Sequence, residues 1–535
     1  MKNTPSYDLN TILDRLLSRR EFLKLSAIGL GYSALASALS ACGGGGGGGG
    51  GTSTQPTSQA AIPLASDEYA VLKRTSFGVH REALASVQNI GIDAWLEQQL
   101  DHTRVDDGDL ETTIQTLFPL TTRSPAELIG EFPDNIAALA RQMIGATQYR
   151  QVFSRRQLYE VMVEFWSDHF NIHLLNGLCP TLKPRDDQQV IRAHALGNFR
   201  DLLHASAKSP AMLFYLDNFY NLASAPNENY ARELMELHTL GVDGGYIETD
   251  VKEVARCFTG WSMRFPDDAS GAYGAFVFHA AVHDNAAKVV LGTTLSAGGG
   301  ESDGEQVLDL LATHPSTARF IATKLCRRFI RDDPDPDSID TVAAAFTQSG
   351  GDIKTTLRAL FATAGFRSSA DLKMCRPTEY LAALVRALAP DTPYPSDDGE
   401  LLFFAQASLG QLPYYWPTPD GYPDAQAYWA STGGLLNRWR LSFLSFAPAI
   451  PAIDVIRIDY PKLLNGADTL AAIVDALTDS ILMRPLSARD RTSMLDWLMA
   501  EYGLAEDVSL PAGVPEQLAP LVAAVLVSSA YFQLR

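Results

Sequence analysis

"NENYARELMELHTLGVDGGY", Asn227 to Tyr246, places Glu228, Glu233, Glu236 and His238 within eleven residues. Pro226 and Asn227 suit a helix start, with Asn227 as the cap. Glu228 then falls in the first turn, where the helix dipole favours an anion. Arg232 stands four residues from both Glu228 and Glu236, the spacing of surface ion pairs. At about 100° per residue, Glu233 and Glu236 lie about 60° apart and share a face. His238 lies about 140° from Glu233 and about 160° from Glu236, following Ala231 and Leu234 on the apolar side. The i,i+4 pair of H-E-x-x-H and the i,i+3 pair of Glu-x-x-His are both missing. Gly244 and Gly245 are expected to end the helix. The stretch therefore reads as an amphipathic helix, and any chemistry on it must be shared with other helices.

Outward from it, helical periodicity dominates. "SDEYAVLKRTSF" is expected to start at a Ser66 cap, and "SGGDIKTTLRALFATAGF" to restart after a Gly-Gly turn with Asp352 as cap. "RRQLYEVMVEFWSDHF" is a longer apolar-faced helix. Strand signals are confined to "AFVFHAAVHD" and "KVVLG", which predict one small β-hairpin near 275–292. The expected fold is mainly α, a multi-helix globular body over 66–535 as a single large domain.

Residues 1–41 read as a targeting segment. "SRREFLK" carries the pair Arg19 and Arg20 of a twin-arginine (Tat) signal, followed by a short, weakly apolar run. "LSAC" resembles a bacterial lipobox, so Cys42 is the expected lipidation site. Residues 42–65, with nine glycines from Gly43 to Gly51, form a tether with a reach of about 25 Å. The implied location is the cell envelope, periplasmic or outer-surface. The Tat translocase is the partner in export, and a lipid anchor the link to the membrane.

The formal charge is −19. Residues 1–41 hold five basic and three acidic side chains, so the remainder has 38 basic and 59 acidic, a charge of −21. Such a body repels phosphate backbones, and no nucleic acid is expected as a partner. Cys179, Cys257, Cys326 and Cys375 form no C-x-x-C pair, which argues against a zinc ribbon or thioredoxin site.

"NENYARELMELHTLGVDGGY…DVKEVARCFTGW" resembles the signature of the bacterial domain of unknown function 1800 family. "LKRTSFG", "FWSDHF", "HPSTARFIATKLCRRF", "RPTEYL", "GQLPYYWPTPDGYP" and "SSAYFQLR" fit in the same order. The resemblance covers roughly residues 68–535. It implies a secreted bacterial protein, commonly encoded beside another exported protein, and it implies no activity.

All ten histidines fall between His80 and His314. A bundle site is therefore expected in the central region. Glu233, Glu236, His238 and Asp284 are the catalytic candidates. His169 and His283 are the candidate ligands of a possible divalent metal, as carboxylate-bridged di-metal bundles would hold it. His173 shares a face with His169 if their helix lasts that far. Each of these groups also has a plain reading as a satisfied core or surface residue. "GESDG", Gly300 to Gly304, matches G-x-S-x-G, but no strand precedes it. Ser302 with Glu305 reads better as a capping box. Tyr414, Tyr415, Trp416 and Tyr422 lie in a Pro-rich loop that either covers the core or stacks on a sugar or peptide. Two functions stand open: an enzyme, or a non-catalytic binding or assembly lipoprotein acting with a co-secreted partner.

Overall fold

The computed structural model describes residues 62–132, 134–268, 270, 272–388, 400–445 and 458–535. The expected Tat signal, the expected lipidation site Cys42 and residues 42–61 of the expected tether lie outside the described residues. Among the described residues, no helix is long and apolar enough to cross a membrane.

The fold is mainly α. Helix α1 (Asp67–Thr75) starts as expected, with the Ser66 side chain accepting from Tyr69 N–H at 3.3 Å. Helices α2 (Ile136–Phe153) and α3 (Gln157–His169) follow. α3 ends at His169, so His173 lies beyond it and the expected shared face does not form. The chain leaves the helix there to reach another segment. Asn171 Nδ2 donates to the Trp416 and Thr418 carbonyls at 3.0 and 2.7 Å, and Leu174 N–H donates to Tyr414 O at 2.7 Å.

The opening segment forms a short helix α4 (Asn229–Glu233) that widens into a π-turn (Leu234–Thr239). The N-cap position falls on Glu228 in place of the expected Asn227, whose Oδ1 instead closes the turn ahead of the helix by accepting from Asn229 N–H at 2.9 Å. The stop falls earlier than expected. Gly241, at φ 81, takes the left-handed position directly after the π-turn, ahead of Gly244 and Gly245.

After α5 (Glu248–Cys257), the small β element expected near 275–292 forms, its strands drawn into two short antiparallel ladders. β1 (Trp261–Met263) pairs with β2 (Phe276–Phe278), and β3 (Lys288–Val290) pairs with β4 (Thr293–Leu295). β3 and β4 are joined by a tight turn at Leu291 and Gly292, with φ of 48 and 75. Two successive positive φ values match the twist of a two-residue hairpin. Asp250 Oδ1 holds Leu291 N–H at 2.9 Å in this conformation, which is unusual for leucine.

Helices α6 (Ser302–Ala312), α7 (Pro315–Phe329), α8 (Pro377–Leu388) and α9 (Val514–Ser528) complete the frame of the site. All residues of α8 are buried, and its Glu379 and Arg386 are met there by Arg328 and by the Gly78 carbonyl. α8 joins two hydrophobic clusters. Ala382 and Val385 enter the large one, with Trp166, Phe199 and Leu325. Tyr380, Leu384 and Leu388 enter the second, with Val522 and Leu526 of α9. Polar groups of α3, α7 and the segment before α8 meet beside this junction, and they build the site.

Candidate acid–base site

Glu160, Glu164 and Asp168 recur every four residues on α3, which puts three carboxylates on one face. Each meets an arginine. Arg192 Nη1 lies 3.0 Å from Glu160 Oε1. Arg376 bridges the other two, with Nη2 2.5 Å from Glu164 Oε2 and Nη1 2.7 Å from Asp168 Oδ2. Arg328 reaches Glu164 at 3.4 Å and Glu379 of α8 at 2.6 Å, and Arg535 adds a contact to Glu379 at 2.9 Å. Burial pushes Glu164 up to about 7 in spite of Arg376 and Arg328, and raises Asp168 in spite of Arg376. Glu379 is buried too, but Arg328, Arg535 and Arg376 outweigh that and hold it at about 2. Two acids of one network are thus held far apart in proton affinity. The α3 stripe lines a cavity of ≈ 30 Å³ with Ser167, Tyr414 and Tyr422. That is room for about two waters and not for an organic substrate.

At the C-terminal end of α3, His169 is buried between two partners. Its Nε2–H donates to the His238 carbonyl at 3.0 Å, and its Nδ1 accepts from Lys324 Nζ of α7 at 2.9 Å. The carbonyl can only accept and the lysine can only donate, so the neutral Nε2–H tautomer is fixed. Burial, then Lys324 and His238, hold His169 well below the usual histidine range. His238 packs 6.1 Å from the His169 ring and 5.0 Å from Phe170, and burial with Lys324 holds it at about 3. Burial also lowers Lys324 to about 8, which Asp168, Asp424 and Asp420 oppose.

The structure thus brings His169 and His238 together, with a lysine the sequence reading did not single out. Glu233 and His238 keep different surroundings, although the π-turn makes the 100° spacing inapplicable to them. His238 is buried, whereas Glu233 is half-buried. Burial and then the neighbouring Glu236 raise Glu233, with Asp420 acting the same way.

His283 belongs elsewhere. Its Nδ1 donates to Thr259 O at 2.7 Å, and its Nε2 lies 3.2 Å from Asp303 Oδ2, which also takes Lys288 Nζ at 2.7 Å. Asp284 pairs with Arg256 at 2.7 Å. The expected union of His169, His238 and His283 in one site is therefore not assembled. His169 and His283 each have both ring nitrogens engaged, which does not fit a divalent metal on either. Among the described residues, no group of three His, Cys, Asp or Glu side chains is placed to hold a metal ion.

Ser302 forms neither an elbow nor the expected capping box. Its hydroxyl donates to Gly299 O at 2.8 Å, and Glu305 turns to Lys208 Nζ at 2.6 Å. The neighbouring Asp303 is drawn inward by Lys288 and His283 instead.

The Pro-rich loop straps this region. Gly421, at φ 73, lies so close to α3 that a Cβ there would stand 2.0 Å from Asp168 O. The loop thereby places Asp420 and Asp424 among the charges acting on Lys324.

The chain belongs to the family described as Protein of unknown function (DUF1800), whose model matches residues 70–534. No curated protein and no solved structure matches it.

Proposed function

We propose that the protein is an envelope enzyme, exported through its Arg19–Arg20 signal and tethered by lipidated Cys42, that moves protons at Lys324 and His169. The 2.9 Å contact between Lys324 Nζ and His169 Nδ1 carries this reading. Lysine is useful as an acid, base or nucleophile near neutral pH only when its proton affinity is lowered. Burial does that here, and Asp168 keeps a fraction charged. His169 holds the amine in place through a tautomer locked by the His238 carbonyl. Asp420 acts on Lys324 and also on Glu233, which is raised by burial and by Glu236.

The test is turnover by the purified full chain on chromogenic glycosides, esters and amides. Lys324→Met is expected to lower turnover by about 10²-fold or more with an unchanged thermal midpoint. Undiminished turnover in that variant would place the chemistry elsewhere.

The second reading is a binding or assembly lipoprotein acting with a co-exported partner. The exposure of Tyr428 beside the strap favours it. Absence of turnover together with stoichiometric capture of that exported partner would select it.

A further inference from the structure

The Pro-rich loop presents rings that the interior does not use. Tyr414 and Trp429 are buried. Tyr422 is clamped by Leu412, whose N–H donates to its hydroxyl at 3.1 Å and whose carbonyl accepts from it at 2.8 Å. Tyr428 differs: it is 49% exposed. Its ring stands 5.8 Å from the Trp416 ring at an interplanar angle of 79°, so the two rings form a corner.

A carboxylate is fixed at that corner. Asp420 Oδ1 accepts from the Trp416 indole N–H at 2.8 Å and from the Thr418 hydroxyl at 2.5 Å. Asp420 is exposed, and its Oδ2 accepts from no group among the described residues. Rings and carboxylate are held before any ligand arrives. Asn171 grips the Trp416 and Thr418 carbonyls, and the Tyr215 hydroxyl donates to Pro417 O at 2.9 Å. Pro413, Pro417, Pro419 and Pro423 fix the backbone between these points. A rigid site of this kind loses little entropy on binding.

Resting on the enzyme reading above, we propose that this corner binds a neutral carbohydrate, with a sugar ring against Tyr428 and Trp416 and a hydroxyl donating to Asp420 Oδ2. Aromatic faces offer apolar area to the C–H face of a sugar, and an ionised carboxylate is a strong acceptor for a hydroxyl. Charge argues against the alternatives. Asp420, Glu233 and Glu236, on a chain of net charge −19, repel anionic polymers. Lys324 already supplies a cation within the field of Asp420. An uncharged donor is the complement that remains.

The purified full chain is titrated with neutral cello-, xylo-, malto- and N-acetylated chito-oligosaccharides, followed by tryptophan fluorescence and calorimetry. Saturable binding to at least one series is expected. Tyr428→Ala should weaken it about tenfold, or ~1.4 kcal/mol. Asp420→Asn should weaken it several-fold, and neither exposed-site variant should move the thermal midpoint. Lys324→Met should bind normally, which separates this proposal from the enzyme reading. No saturable binding to any series, or binding indifferent to Tyr428→Ala, overturns the proposal without touching the chemistry of Lys324. Saturation by a Pro-rich or cationic peptide in place of every sugar overturns it as well.

Discussion

Lys324 Nζ and His169 Nδ1 meet at 2.9 Å, although 155 positions separate the two residues in the chain. The contact ties α7 to the end of α3 and fixes the direction of both hydrogen bonds at the imidazole.

Acid should destabilise the fold through His169 and His238. Both are held below the unfolded value of about 6.5, so the unfolded chain binds more protons once the pH falls below that value. Their contribution is complete above pH 6.5 and is lost as the pH falls towards 3, the value at which His238 is held. The slope is about 1.4 kcal/mol per pH unit for each group. Glu164 acts in the opposite sense. Raised to about 7, it favours the folded state at low pH and loses that contribution as the pH rises through 7. Asp168, which burial also raises, acts in the same sense as Glu164. Glu164→Gln should therefore steepen the fall between pH 6.5 and 4.5. Urea unfolding at pH 5 and 7 for both proteins checks this, and a shallower fall in the variant would reverse the assignment.

Arg376 holds two carboxylates at once, and it is itself buried. Arg376→Met leaves Glu164 and Asp168 short of a partner, and the expected cost is about 3–5 kcal/mol. Glu164→Gln combined with Asp168→Asn in that background should recover part of it, because uncharged amides need no counter-ion. Denaturant midpoints of the three proteins decide the point.

Gly421→Ala should loosen the strap. A Cβ at this position collides with backbone, Asp168 O, and φ is positive as well. The expected loss exceeds about 1 kcal/mol. Hydrogen exchange at Leu174 N–H, which donates to Tyr414 O at 2.7 Å, should speed up in the variant.

The fold class was legible because helical periodicity and capping are local. Ser66 and Asp352 cap where expected, the latter accepting from Thr355 N–H at 2.7 Å. The small β element was legible in its position, but the β3–β4 pairing was not, because it turns on Leu291 adopting a left-handed conformation that a contact from Asp250 supports. The site was legible in part. His169 and His238 were found as residue types, but their partner Lys324 sits in "ATKLC" with no chemical signature of its own. The i, i+4, i+8 stripe of Glu160, Glu164 and Asp168 was visible in the spacing. The strong apolar face of the same helix obscured it. His283 was grouped with His169 by density in the sequence. In the structure its nitrogens face Thr259 and Asp303, and no spacing rule could have shown that.

Lys324 is an amine whose proton affinity burial lowers, set against His169 at 2.9 Å. Competitive acetylation of the full chain across pH 6 to 11, read residue by residue by mass spectrometry, measures it directly. The predicted result is a Lys324 midpoint near 8, with exposed lysines close to about 10.4. A Lys324 midpoint at or above that of the exposed lysines would contradict the account.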